Sequence, residues 1–299
     1  MTPKLNLLMS WQYLKGVRIR LVAKHASEIN LFLDCGAIAA YAKGGAQDVE
    51  AYCDFVEALP LKPWGYLAMD EIGNPEVTRR NFERMLARGL RPIPIHTRNQ
   101  PIENLDYYFD HSDLVAIGGL ATGATGGPEY MARVMAHAKG RHVHLLGMTK
   151  LWALRQHAPY STDSASWESA ARYGSIGLYM GHGRYKQLRR RQLLKRPSDD
   201  VVAAIRRLGC NPFDLQKEAA WHGGPSVIRF LSASSWIALA NDVKKYLGTQ
   251  VFLATTNEVS VGVLLQAHRY HQGTGGNILC SRDTSGATPS WRPSDATSG

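Results

Sequence analysis

The sequence predicts an α/β protein: a (β/α)8 TIM-type barrel with a C-terminal helical appendage and a disordered tail. Three observations carry that expectation. Through the first 180 residues, short apolar segments alternate with longer amphipathic ones, the pattern of a parallel sheet with crossover helices. Eight apolar segments are present, the number that closes a barrel. Their ends carry polar or glycine residues: Asp34, Asp70, His96, Gly118-Gly119, Gly147 and Asp163. A barrel draws its site from several strand ends, whereas an open doubly wound sheet gathers it at one switch point. No G-x-G-x-x-G follows the first segment.

In chain order the expected strands are Leu5–Leu8, Leu31–Leu33, Tyr66–Met69, Pro92–Ile95, Leu114–Ile117, Val143–Leu146, a weak segment at Tyr160–Thr162, and Ser175–Leu178. Each is short, apolar and followed by a turn or polar residue, as buried parallel strands are. The clearest helices between them are Gln47–Ala58, Pro75–Arg88 and Pro128–Lys139. The first places Val49, Tyr52, Cys53 and Val56 on one face. The second opens on Asn74 as N-cap with Pro75 at the first helical position, and Gly89 ends it. The third lies between Gly127 and Gly140. This plan assigns the barrel to residues 1–185. Residues 186–271 read as a basic helical region, with helices at Val201–Leu208, Phe213–Ala220, Ser226–Ala240, Asp242–Leu247 and Glu258–Tyr270. From 272 to 299, Gly, Ser, Thr and Pro dominate, the composition of a disordered tail.

Composition bounds the function. The 299 residues are 44% hydrophobic, ample for a core, which excludes disorder for the bulk of the chain. Four cysteines are too few for a secreted disulfide scaffold, no run approaches a membrane span, and the N-terminus lacks a signal-peptide pattern. The expectation is a protein of a reducing cytoplasm with no membrane partner. The net charge of +10 suits a polyanion, and it is concentrated. Arg184, Lys186, Arg189, Arg190, Arg191, Lys195, Arg196, Arg206 and Arg207 stand against only Asp199 and Asp200, leaving +7 in 24 residues. A run of this kind is either a solvated face or a stripe that neutralises phosphates. Tyr185 within it offers a stacking surface. The stripe follows Asp163 closely in sequence, so it is the candidate grip on a nucleic-acid backbone beside the active face.

The chemistry is carried by three acids. Asp34 precedes Cys35-Gly36, Asp70 ends Tyr66-Leu67-Ala68-Met69, and Asp163 opens Ser164-Ala165-Ser166-Trp167. Each also fits a turn or a helix cap. Together on one barrel face, they form the kind of carboxylate set that cleaves a glycosidic bond.

Leu33-Asp34-Cys35-Gly36-Ala37, Met69-Asp70-Glu71, Ala116-Ile117-Gly118-Gly119-Leu120-Ala121-Thr122-Gly123, His144-Leu145-Leu146-Gly147-Met148 and Thr162-Asp163-Ser164-Ala165-Ser166-Trp167 occur in one order. In that order they resemble the tRNA-guanine transglycosylases, and more closely the phage members that modify DNA (the DpdA type). Phe32-Leu33-Asp34-Cys35-Gly36-Ala37, Asn74-Pro75-Glu76-Val77-Thr78 with Asn81, and Arg91-Pro92-Ile93-Pro94-Ile95-His96 resemble that branch. The resemblance covers roughly residues 5 to 180, and Gly-Gly-Leu-Ala-x-Gly is its most specific part.

The resemblance implies exchange of guanine in DNA for a 7-deazaguanine base, by double displacement through a covalent aspartyl intermediate. In this reading Asp163 is the nucleophile and Asp34 the general acid and then base. Asp70 binds the purine edge, Gly118, Gly119 and Leu120 form the base-binding loop, and His96 stands where tRNA enzymes recognise the base. His96 also fits a core histidine bonded to backbone. The partners implied are DNA, with tRNA as the alternative, and the 7-deazaguanine itself. No cofactor is needed, because one glycosidic bond replaces another. If the chain is phage-encoded, its compartment is the host cytoplasm.

The tRNA enzymes also carry a Cys-x-Cys-x2-Cys…His zinc module. Here the cysteines are Cys35, Cys53, Cys210 and Cys280, with no close pair, so no metal site is expected. His268 and His271 lie three apart without further ligands. Loss of the zinc module shifts weight from tRNA toward DNA. A zinc-less tRNA enzyme, a catalytically silent nucleic-acid-binding barrel and a glycoside hydrolase remain open alternatives. Cys35 reads as a buried small residue or a reactive thiol.

Overall fold

A computed structural model describes residues 3–42, 44, 47–120, 127–195, 197–222 and 224–275. The chain forms two compact units. One comprises Pro3–Ser164 with Tyr246–Glu258; the other gathers Ala165–Lys245 and the chain from Val259.

The first unit is an eight-stranded parallel sheet consistent with a TIM-like fold. Its strands are β1 (Leu5–Ser10), β2 (Ile29–Asp34), β3 (Gly65–Tyr66), β4 (Ile95–His96), β5 (Leu114–Ile117), β6 (His142–Leu145) and β7 (Ser161–Ser164). The eighth comes from far along the chain. Ser175–Gly181 (β8) does not join the sheet but pairs antiparallel with Arg184–Arg189 (β9) in a separate hairpin. Gln250–Ala254 (β10) takes the expected place instead, between β1 and β7. The expectation of a barrel complete within residues 1–185 is therefore corrected. An apolar run of four has the same appearance whether its partner is parallel or antiparallel.

The sheet order is β3-β2-β1-β10-β7-β6-β5-β4. It curls until its edges meet. Leu67 bridges Ile93 in parallel, Ile93 N–H donates to Tyr66 O at 2.8 Å, and Ala68 N–H donates to Ile93 O at 2.8 Å.

Helices α1 (Val17–Lys24), α2 (Ala37–Ala42), α3 (Val49–Glu57), α4 (Pro75–Ala87), α5 (Asn104–His111), α6 (Gly127–Ala138) and α7 (Leu151–His157) connect the strands. The caps explain where two of them start. Asp48 accepts the N–H groups of Glu50 and Ala51 to open α3, and Asn74 accepts that of Val77 to open α4 ahead of Pro75. Helix α1 lacks a side-chain cap and α2 is six residues long, so neither announces itself in sequence.

Register shows which side chains face inward, because parallel partners project to the same face. Phe32 on β2 meets His144 on β6 at 4.8 Å and Phe252 on β10 at 5.2 Å between ring centroids. These residues lie on alternate strands of the curl, as the packed layers of barrel interiors do. Trp64 packs on Phe32 at 5.1 Å and Phe252 at 4.7 Å. It also stacks on Tyr160 at 6.3 Å, so aromatic rings fill the end where the strands begin. Gly65 shares the inward face with its register partner Phe32. A Cβ there would lie 2.7 Å from Ile93 Cδ1.

The second unit holds the β8–β9 hairpin with α8 (Ser169–Tyr173), α9 (Arg190–Leu194), α10 (Asp199–Arg207), α11 (Val227–Leu247) and α12 (Glu258–His271). Two expectations are corrected here. Phe213–Ala220 is not an α-helix but two short 3-10 turns, Pro212–Gln216 and Glu218–Ala220. The two helices expected over Ser226–Leu247 are one, Val227–Leu247, because Asn241 continues the helix rather than ending it. The region that begins with the basic run opens on a β-strand, not a helix. The expected tail begins at Gln272; Gln272 and Gly273 form a turn on α12, and positions 276–299 lie outside the described residues.

Candidate functional site

The inward face carries two of the expected acids to the strand ends. Asp34 lies two residues beyond Phe32 and is the register partner of Ser10. Asp163 on β7 is the partner of Phe252, two residues beyond inward-facing Ser161. Asp70 follows the Leu67 bridge and is fixed by α4: Thr78 Oγ1–H donates to Asp70 Oδ1 at 2.8 Å. Gln47 Nε2–H donates to Asp70 O at 2.7 Å and Asn81 Nδ2–H to Met69 O at 3.3 Å, anchoring that turn from α4 and from the residue before Asp48.

Asp34 feels the other two carboxylates. Burial raises Asp34 to about 6, opposed by the Gly36 N–H it accepts at 3.0 Å and reinforced by the charges of Asp163 and Asp70. Burial also raises Asp70, opposed by the Thr78 hydroxyl. Asp163 is held differently. Its Oδ1 accepts the Gly147 N–H at 2.8 Å and lies 3.2 Å from His144 Nε2. Among the described residues Oδ2 makes no hydrogen bond. His144 is fully buried, and its Nδ1 pairs with Ser161 Oγ at 2.9 Å. The chain Ser161–His144–Asp163 thus runs up the inside of β6 and β7. Sequence reasoning placed His144 in a motif but gave it no role; the alternation Ser161-x-Asp163 beside a histidine on the neighbouring strand was the available signal.

His96 is not in this constellation. Its register partner is Ile117, whereas Ile95 pairs with Ala116, which pairs with inward-facing His144. His96 therefore faces the helix layer. Its Nδ1 meets Tyr130 Oη on α6 at 2.7 Å and its Nε2 meets Pro101 O at 3.0 Å, and burial lowers its pKa. The expected base-recognition role is corrected to a core histidine with both nitrogens engaged.

Gly118 continues β5, its N–H donating to His96 O at 2.9 Å. A Cβ on Gly118 would come within 3.2 Å of Thr97 Cγ2. Gly119 has φ +74°, a left-handed conformation that favours glycine. Leu120 is buried. The rest of that motif, positions 121–126, lies outside the described residues. Cys35 is buried, and burial pushes its thiol well above the ordinary value, which suits packing rather than reactivity.

Among the described residues no group of three or more His, Cys, Asp or Glu side chains is placed to hold a metal ion. His271 lies on Ser234, its Nε2 2.9 Å from the hydroxyl.

In the second unit, Arg184, Arg189, Arg191 and Lys195 are exposed and have no carboxylate partner among the described residues. Lys186 lies 3.9 Å from Asp200. Arg190 is bound to Glu218 and lies over Trp221, 5.4 Å from the ring centroid. Arg196 lies outside the described residues. Tyr185, expected as a stacking surface, is partly used internally. Its ring packs edge-on to Trp236 at 6.1 Å, and its hydroxyl occupies the space a Cβ on Gly177 would need.

No helix among the described residues is long and apolar enough to cross a membrane. No family model matches this chain, and no curated protein or solved structure matches it either.

Proposed function

We propose that the chain is a DNA-guanine transglycosylase that exchanges guanine for a 7-deazaguanine base through a covalent intermediate on Asp163. The observation that carries this reading is the contrast between two carboxylates at the strand ends. Asp34 is raised to about 6, whereas Asp163 has one oxygen anchored by the Gly147 N–H and the other unbound among the described residues. A carboxyl raised toward neutrality suits the acid, and a carboxylate anchored by one oxygen with the other unbound suits the nucleophile.

In the first displacement Asp163 Oδ2 bonds to C1′ of the nucleotide. The C1′–N9 bond breaks, its electron pair goes to the purine, and the Asp34 carboxyl supplies the proton the leaving guanine takes up. In the second, the Asp34 carboxylate removes the N9 proton of the incoming base. N9 bonds to C1′ and the ester to Asp163 breaks, returning both residues to their starting state with retention. Asp70 accepts N–H groups of the pyrimidine edge, its Oδ1 already oriented by Thr78. Gly118, Gly119 and Leu120 bring backbone close to the base. His144 positions Asp163. The reacting C1′ and base are inaccessible in a stacked duplex, so the nucleotide is flipped or the strand melted. Arg184, Arg189, Arg191 and Lys195, with Lys186, Arg190 and Arg196 in the same run, supply phosphate contacts independent of sequence.

The test is incubation with duplex DNA and 7-cyano- or 7-aminomethyl-7-deazaguanine, followed by mass spectrometry of the nucleosides. The expected result is modified deoxynucleoside and one guanine released per base inserted, both lost in Asp163→Ala. Exchange in tRNA but not DNA would move the substrate to tRNA. Exchange in neither would leave a barrel that only binds nucleic acid.

A further inference from the structure

The second unit contains a cavity of about 760 Å³, within the size range of small-molecule sites. Its wall is built by three successive pieces of chain. Helix α8 ends on Tyr173, and Gly174 O accepts the Arg190 N–H at 2.8 Å, which draws the start of α9 against it. The 3-10 turn Glu218–Ala220 then delivers Trp221, whose Nε1–H donates to Leu215 O at 2.8 Å and fixes the ring.

Four arginines line the cavity, Arg172, Arg189, Arg190 and Arg191, and no acidic residue does. Two of them are neutralised from outside the lining: Arg172 by Glu168, and Arg190 by Glu218. Arg189 and Arg191 are exposed and have no acidic partner among the described residues. The Arg190 guanidinium lies over the Trp221 ring. Beside these donors Tyr173 presents an exposed aromatic ring.

We infer that this cavity is a nucleotide site, in which Arg189 and Arg191 hold one phosphate while the base lies against Tyr173. Paired guanidiniums match phosphate oxygens in a fixed fork, and an aromatic face accepts any base. The inference deepens the nucleic-acid reading and rests on it for the class of ligand. The phosphate can belong to a free nucleotide or to a strand, and the same titration separates the two.

The experiment is calorimetric titration of the full chain with dGMP, deoxyguanosine, inorganic phosphate and a 5′-phosphorylated single-stranded oligonucleotide. Saturable binding of dGMP is expected, with deoxyguanosine about tenfold weaker because its phosphate is missing. Arg189→Ala and Arg191→Ala each weaken dGMP about tenfold. Lys245→Ala, exposed in the same unit but outside both the cavity lining and the basic run, changes it little. Tyr173→Ala weakens dGMP but not inorganic phosphate. Displacement of dGMP by the oligonucleotide makes a strand the source; binding of dGMP undisturbed by it makes a free nucleotide the ligand. Absence of saturable dGMP binding overturns the inference, as does an equal loss in Lys245→Ala and Arg189→Ala, the mark of diffuse attraction. Asp163→Ala leaves the titration unchanged, so failure of base exchange and failure of this site are read separately.

Discussion

Burial beside two other carboxylates determines what Asp34 can do near neutral pH. Its folded-state pKa of about 6 lies above the ordinary 3.8, so the native state holds its proton more tightly than the unfolded chain. The favourable contribution of that carboxyl is fully present below about pH 3.8 and is lost as pH rises through about 6. Asp34→Asn, which cannot ionise, should therefore melt higher than the native chain at pH 7, and the gap should close by pH 4. A pH-independent gap in melting temperature would show that Asp34 is not perturbed. The same titration governs the first half-reaction. Single-turnover guanine release, which requires the protonated acid, should fall as pH rises through about 6 and be absent in Asp34→Asn. His96 carries a second residue-scale prediction. Tyr130→Phe removes the partner of a fully buried ring nitrogen and should cost about 1–3 kcal/mol in denaturant unfolding without altering affinity for the incoming base. Sequence identified Asp34 and Asp70 because apolar runs end visibly before them, whereas Asp163 follows only the weak segment Tyr160–Thr162 and lies inside β7. The sequence did not reveal that His96 faces the helices: β4 is two residues long and has no alternation from which to read a face.

At the scale of elements, seven barrel strands were legible and the hairpin was not. Leu114–Ile117 is found with the bounds its four apolar residues predict, and Asn74-Pro75 marks the start of α4 by cap and ring chemistry. Strand β9 gave no such signal, since its exposed residues are charged or polar and only Leu188 is buried. Beside the antiparallel backbone ladder, β9 meets β8 in a fit between one aromatic and one glycine. Tyr185 lies across Gly177, and a Cβ at position 177 would fall 1.3 Å from the tyrosine hydroxyl. Burial of that phenol raises it to about 12. Gly177→Ala must expel the ring and should cost about 3 kcal/mol, the upper part of the usual overpacking range. The double variant Gly177→Ala/Tyr185→Ala removes the clash and should be more stable to denaturant than Gly177→Ala alone. An unaltered midpoint in Gly177→Ala would show that the ring does not pack there.

The whole molecule depends on a strand that sequence order hides. β10 enters the sheet between β1 and β7 after an excursion of some 85 residues through the second unit, and a reading that advances strand by strand fills its place with the next apolar run. It is held at both ends: Thr249 Oγ1–H donates to Pro159 O at 2.6 Å, and Thr255 N–H donates to Leu8 O at 3.1 Å. Phe252 on β10 meets Phe32 and Trp64, completing the aromatic interior beneath Asp34 and Asp163. Without this strand, β1 and β7 would each present an unpaired edge, and the interior rings would lose one wall. The two carboxylates assigned to opposite sides of the exchange reaction would then have no common floor. A chain ending at residue 185 contains every acid of the candidate site and seven of its eight barrel strands, so a site that needed only local sequence would survive in it. We expect instead that this fragment lacks cooperative thermal unfolding, self-associates in size-exclusion chromatography and is digested by protease much faster than the full chain. Adding a peptide spanning residues 246–258 would restore little, because loop closure would be exchanged for a bimolecular step. A monomeric, cooperatively melting fragment would show that Ser175–Leu178 can close the sheet after all.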